Sequence, residues 1–494
     1  LRIFDITNRR WLRERVTGTS SRIVGWTEQN GFYYISFGDS DSLNKKKTTP
    51  HSSIKYHQVG TPASEDKIVF DSPRGKDQLI TLFSINISND YRHLIVRSRQ
   101  GQGDRNKLFL IETKGHKVHP LVENDDHMFN FIGSKGDTFY FYVNENAPNG
   151  KAVAINKTAG GNAKWQTIIP EQEEILAGGS TAGGNAMNLI GDYFTLLYRK
   201  GTETQLKIFE INGKLRHTIP LENGWIGSGL VGNPDGSEVF FSHNTFLSPS
   251  NVVRVDLDRG TSKAFFDRGL PIKRSDYVTK NTYYTSRDGT RIPIFISHKK
   301  GLELKGNNPV FMYAYGMGGW VATPWYQPQM LTFIEMGGVF IMPGIRGGGE
   351  FGEAWTKGGI KLNRQNAIDD YISAAQYMVD KKYTSAGKVV ANGWSASGSL
   401  AAAATIQRPD LFGAAIPKGN HFLKLPRRIN MHKGKWRRRW VKRFFRQMKH
   451  NRAILTHRVK HHRVIALRRH FTHNVDGFSL KAIQMRHAQL NVAG

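Results

Sequence analysis

Residues 392–400 read Asn392-Gly393-Trp394-Ser395-Ala396-Ser397-Gly398-Ser399-Leu400, NGWSASGSL, between KVVA (388–391) and AAAATIQ (401–407). KVVANG is an apolar, β-branched run of strand type, and the residues from Ser395 to Gln407 are helix formers that Pro409 stops. A serine at a sharp strand-to-helix turn has its hydroxyl exposed at a helix N-terminus, where a backbone N–H can meet developing negative charge. Such a turn needs small residues two before and two after the serine, because their side chains crowd neighbouring backbone. Gly393 satisfies this fully, while Ser397 occupies the second position, where glycine is usual. The competing reading makes Ser395 an ordinary helix cap.

The surroundings supply context. NPVFMYAYG (308–316), GGVFIMPGI (337–345) and LFGAAIP (411–417) are buried-strand runs, and QNAIDDYISAAQYMVDK (365–381) has helical period, with Ile368, Ile372, Ala375 and Val379 on one predicted face. Strands alternating with helices predict a doubly wound α/β layer, and the serine turn makes it an α/β-hydrolase domain, incomplete as it stands. Upstream the pattern differs. Alternating apolar runs recur at RIFDI (2), IKYHQV (54), LFLIE (108), AVAIN (152), LKIFEI (206) and VVRVDL (252). Each of the last five follows another strand run, such as GFYYISFG or TFYFYV. Multistrand repeats of about 40 to 55 residues are those of propeller blades. About six blades are expected in a seven-bladed β-propeller incomplete at the N-terminus. The reading gives a propeller over 1–270, an α/β-hydrolase domain over 271–417, and a third segment, 418–494.

That third segment carries most of the charge. The chain of 494 residues has a formal net charge of +30, yet residues 418–494 hold 21 Lys and Arg against one acid, Asp476. Hydrophobic content of 39% is that of a globular protein, and no run reaches the ~18 apolar residues of a membrane span. The chain has no cysteine, so disulfides, thiolate nucleophiles and Cys-based metal sites are excluded. IRGGGEFGEAWTKGG (345–359) lacks G-K-[ST] and no helix is expected to open at its glycines, so it is not read as a phosphate loop. AGGSTAGGN (177–185) reads as a blade loop, and Asp369 and Asp370 are too adjacent on their helix for a metal or acid–base pair.

Asp370, Ala374 and Met378, then fourteen residues, then Gly393-Trp394-Ser395 resemble the active-site signature of the prolyl oligopeptidase family of serine peptidases. SRDGTRIPIFISHKKG (286–301), YAYG (313–316), IRGGGEFGEAWTKGG and QRPDLFGAAIP (407–417) resemble that family in the same order, and TFLSPSNVVRVDL (245–257) resembles its last blade. Ser397 and Ser399 depart from the signature. The resemblance implies that Ser395 is the acyl-forming nucleophile. It implies that the Tyr315 hydroxyl and the Ala396 amide form the oxyanion hole, and that Trp320 walls the proline pocket, with Met317 an extra residue before it. It further implies cleavage of short peptides at the carboxyl side of proline, no cofactor or metal, a monomer in the cytoplasm, and no membrane or nucleic-acid partner unless the basic tail is genuine.

A serine hydroxyl needs a histidine base and a carboxylate to orient it. The chain order in α/β-hydrolases is Ser, acid, His. Only Asp410 and Asp476 follow Ser395 as acids. Asp410, just beyond the helix, is expected to cap or pair. Asp476 lies near the family's spacing but without its DxRV context, and His487 then comes too soon and without the family's small-residue loop. The resemblance stops after Pro417, so residues 418–494 are read as a frame error or mistaken gene model. The rivals are a nucleic-acid tail, with Trp436, Trp440, Phe444 and Phe445 stacking on bases, or a solvated segment. The first residue, Leu1, suggests that the true N-terminus is missing. The expectation for this polypeptide is an inactive chain whose catalytic Asp and His are not identifiable. The alternatives are a non-catalytic homologue or a non-peptidase acyl hydrolase.

Overall fold

The computed structural model describes residues 1–28, 30–36, 52–71, 81–100, 105–157, 165–177, 186–227, 229–270, 272–418 and 455–456. The blade-loop reading of 178–185 and the residues Trp436, Trp440, Phe444, Phe445, Asp476 and His487 lie outside them. Contacts divide the chain into two units: Leu1–Asp276, Gly318–Leu331 and Arg346–Ile360, and separately Tyr277–Met317, Thr332–Ile345 and Lys361–Gly494.

The first unit is a β-propeller. A two-stranded hairpin, Arg2–Asp5 with Arg10–Arg15, precedes five antiparallel sheets of four or five strands. In those five sheets the repeated sequence motif lies in the strands Ser53–Gln58, Lys107–Glu112, Lys151–Asn156, Glu203–Glu210 and Ser248–Asp256, each paired with the strand that precedes it. Each hydrophobic cluster is shared by two successive sheets. In Thr138–Val143, Phe139, Phe141 and Val143 pack with Ile95, Leu108 and Leu110 of the preceding sheet. Tyr140 and Tyr142 of that strand pack instead with Leu189, Phe194 and Leu196 of the following one. Alternate side chains leave opposite faces of a strand, so a blade covered on both faces reads as an unbroken apolar run. This explains why TFYFYV and YFTLLY do not alternate with polar residues.

The second unit is built on one sheet of seven strands: β1 (Tyr277–Thr285), β2 (Arg291–Lys299), β3 (Val310–Tyr313), β4 (Val339–Pro343), β5 (Val389–Trp394), β6 (Phe412–Lys418) and β7 (Leu455–Thr456). Their order is β1-β2-β4-β3-β5-β6-β7. β2 is antiparallel to β1 and β4, β4-β3-β5-β6 are parallel, and β7 is antiparallel to β6. The helices of this half of the chain are α1 (Pro328–Glu335), α2 (Gly352–Lys357), α3 (Arg364–Asp380) and α4 (Ala396–Gln407). This is the α/β-hydrolase sheet that the strand–helix alternation predicts.

Two expectations need correction. The buried face of α3 consists of Ala367, Ile368, Asp370, Tyr371, Ala374, Ala375 and Met378, whereas Ile372 and Val379 are only partly covered. The buried stripe is therefore displaced from the predicted one, because Asp370 and Tyr371 enter the core. Both are core groups here: Asp370 Oδ1 accepts from Ser286 Oγ at 2.5 Å, the Asp370 carbonyl accepts from Tyr284 Oη at 2.8 Å, and Tyr371 Oη donates to the Asn392 carbonyl at 3.2 Å. Asp370 thus ties α3 to the end of β1, which gives the first residue of the signature a structural job. Replacing it with Ala leaves Ser286 buried without that acceptor and is expected to cost about 1–3 kcal/mol in urea unfolding. A loss below about 0.5 kcal/mol would contradict this role. The second correction concerns 345–359, where α2 does open at Gly352.

Candidate active site

β5 ends at Trp394 and α4 begins at Ala396, so Ser395 alone makes the turn. Its backbone lies at φ 56°, ψ −126°, a region that costs a non-glycine residue about 1–3 kcal/mol and persists only where its surroundings impose it. The surroundings are identifiable. Ser395 N donates to the Lys418 carbonyl at 2.7 Å, and Gly398 N to the Ser395 carbonyl at 3.1 Å. A Cβ on Gly393 would stand 2.0 Å from the Ser397 carbonyl oxygen, so only glycine allows β5 to pass this close to the first turn of α4. Ser397, fully buried, accepts from Trp394 N at 2.8 Å and donates to the Trp394 carbonyl at 2.9 Å. The departure from glycine is therefore compensated locally, since the extra hydroxyl closes the turn from inside.

Tyr315 lies two residues beyond β3, which runs parallel to β5 with Tyr313 opposite Asn392. Burial, with Tyr315 beside it, pushes the Tyr313 phenol up to about 12, while a hydrogen bond to Ser397 acts in the other direction. Tyr315, Tyr313, Ser397 and the Ser395 turn thus form one connected group at the carboxyl ends of β3 and β5. The Arg364 guanidinium donates to the Gly316 carbonyl, and its burial lowers it to about 10 despite the opposing influence of Tyr315. Sequence reading missed Tyr313 and Arg364. The i, i+2 tyrosines of YAYG were a usable sign, since residues two apart on an extended chain share a face.

The Ala396 amide stands at the first position of α4, among the donors that a helix leaves without intrahelical partners. Trp320 belongs to the other unit, with its ring edge-on to Trp325 at 5.5 Å. Asp410 is held by Arg408, with Nε at 2.9 Å and Nη2 at 2.7 Å, which is the pairing expected of it. Among the described residues no histidine or carboxylate bonds the Ser395 hydroxyl, which is half-buried. No group of three or more His, Asp and Glu side chains among them could hold a metal.

Fold and site together define an α/β-hydrolase sheet carrying a strand–serine–helix turn at Ser395, joined in one chain to a β-propeller. The family model described as prolyl oligopeptidase, N-terminal beta-propeller domain, matches residues 1–268, and that of the prolyl oligopeptidase family matches residues 324–422. The chain belongs to the prolyl oligopeptidase family. It is 29% identical to a prolyl endopeptidase of Elizabethkingia meningoseptica over 84% of its own length and 57% of that protein. It is 28% identical to prolyl oligopeptidase A of Galerina marginata over 82% and 56%. Among solved structures, a prolyl endopeptidase matches with a TM-score of 0.74 at 26% identity, covering 84% of this chain and 60% of that one. Prolyl oligopeptidase B of Galerina marginata bound to a 25mer macrocyclization substrate matches with a TM-score of 0.74 at 26% identity, covering 83% and 57%. The chain thus spans somewhat over half the length of the relatives it matches.

Proposed function

We propose that Ser395 is the acyl-forming nucleophile of a serine-type endopeptidase that cuts short peptides at the carboxyl side of proline. The observation that carries this reading is the Ser395 backbone at φ 56°, ψ −126° between β5 and α4. A strained non-glycine residue whose side chain is only half-buried is not explained by core packing, and it presents the hydroxyl beside the first amides of α4. Ala396 N–H and the Tyr315 hydroxyl are proposed as the oxyanion donors, and Trp320 as the wall of the proline pocket. The propeller is proposed to span about 1–270 and the hydrolase domain 271–417, and the protein would act as a cytoplasmic monomer. Among the described residues no helix is long and apolar enough to cross a membrane.

The 494-residue chain is expected to show neither fluorophosphonate labelling nor peptide turnover, because Asp410 is engaged by Arg408 and the remaining acid, Asp476, lacks family context. Robust labelling of Ser395 in this chain would refute that expectation. The role of Ser395 itself is tested by joining residues 1–417 to the matching C-terminal segment of one of the similar prolyl endopeptidases. Such a chimera should label at Ser395 and cleave a proline-containing chromogenic peptide, and Ser395→Ala should remove both. Turnover of a short ester alone would favour a non-peptidase hydrolase. A folded, monodisperse chimera that neither labels nor cleaves would favour a non-catalytic homologue.

A further inference from the structure

Two backbone segments of the first unit are zipped together within hydrogen-bonding reach. Gly319 N donates to the Gly347 carbonyl at 3.2 Å, and Ala322 N to Glu350 Oε1 at 2.8 Å. The glycines are what permit this approach: a Cβ on Gly349 would stand 2.2 Å from the Gly319 carbonyl oxygen. One on Gly348 would stand 2.3 Å from Glu350 Oε2 and 2.9 Å from the Trp320 carbonyl oxygen. The Glu350 side chain fills the gap that remains and is 1% exposed. Arg199 of the strand Tyr193–Lys200 faces it with its charge, the Trp355 indole N–H approaches from α2, and segment 318–331 offers the Ala322 amide. This is where the glycine-rich stretch, not absorbed by the Ser395 chemistry, finds a purpose.

We propose that Glu350 is a positioning residue for Trp320: by accepting the Ala322 amide while facing Arg199, its carboxylate fixes the backbone that carries the Trp320 ring. The inference rests on the reading of Trp320 as a pocket wall only for its bearing on substrate binding; the positioning itself stands on the contacts above. Removing charge from the carboxylate weakens both its acceptor strength and its attraction to Arg199, so the segment should respond to protonation. Burial pushes the Glu350 carboxyl up to about 7, with Arg199 pulling it down, which puts the response in an accessible range.

The edge-on Trp320–Trp325 pair supplies a readout independent of catalysis, because two indoles 5.5 Å apart give an exciton couplet in far-ultraviolet circular dichroism. In the full chain, Trp320→Phe identifies the couplet by abolishing it. The couplet should then lose at least half its amplitude as one protonation between about pH 8 and about pH 5.5. Arg199→Met should move the midpoint upward, and Glu350→Gln should remove the titration. A couplet constant across that range in the unsubstituted chain overturns the proposal, as does a titration that persists in a folded Glu350→Gln variant. If Glu350→Gln does not fold, the unsubstituted titration and the direction of the Arg199→Met shift decide. Failure of the peptidase reading would leave the couplet's titration intact, whereas failure here would leave Ser395 labelling of the chimera untouched. In that chimera the loss on Glu350→Gln should fall on KM for proline peptides more than on kcat.

Discussion

Gly393→Val is expected to destabilise the hydrolase unit by about 3 kcal/mol or more and to abolish fluorophosphonate labelling of the chimera proposed above. The new Cβ would stand 2.0 Å from the Ser397 carbonyl oxygen and 2.4 Å from its carbonyl carbon. Both are backbone atoms in the first turn of a helix, so no side-chain rotation relieves the clash. The turn must open, and opening it breaks Ser395 N to the Lys418 carbonyl together with both Ser397 bonds to Trp394. Ser397→Ala keeps the backbone path and loses only the hydroxyl, so it should cost less, about 1–2 kcal/mol. The midpoint of urea unfolding and the labelling rate separate the two variants. Equal losses would mean that the hydroxyl clamp, and not the missing Cβ, holds the turn.

Between pH 4.5 and pH 8 the protein should lose about 3 kcal/mol of stability through Glu350 alone. The ordinary value of its carboxyl is 4.5, and in the folded chain burial raises it to about 7. Between pH 4.5 and about 7 the folded protein holds a proton that the unfolded chain has released. This stabilisation is therefore fully present below pH 4.5, and it disappears as pH rises through about 7. The direction is opposite to that of an ordinary paired carboxylate. Urea unfolding across this range, compared between the unsubstituted chain and Glu350→Gln, checks it. The variant should lack this component of the slope, and superimposable pH profiles would exclude it. The charged form is thus the costlier one for the fold even though it grips the Trp320 backbone more firmly.

Most of the architecture was legible in the sequence. The repeating strand pairs and the strand–turn–helix around Ser395 show in the order and spacing of apolar and turn residues. What could not be read was which face of α3 is buried, because Asp370 and Tyr371 enter the core through hydrogen bonds that no hydropathy pattern encodes. Ser397 was likewise a doubt in the sequence, and the structure accounts for it: a buried serine satisfies its own hydroxyl on Trp394. The short helix at Gly352 escaped notice because glycines ordinarily oppose helix formation, and here they are selected for close approach to residues 319–322. Arg364 and the pair Arg199 and Glu350 were beyond reach for another reason. Their partners are distant along the chain, and nothing local marks them.

Each hydrophobic cluster of the propeller is shared by two successive sheets, as in the alternating Phe139/Phe141 and Tyr140/Tyr142 faces. Among the described residues no blade therefore owns a core, and the propeller behaves as a stack with nearest-neighbour coupling. A chain break placed in a connection between blades would divide the material of the one cluster that those two blades share. A break inside a blade, between the second and third strands, would split the material of two clusters at once. Tolerance to permutation or insertion should accordingly rise and fall with the period of the repeat, highest at the connections and lowest at the strand pairs first visible in the sequence.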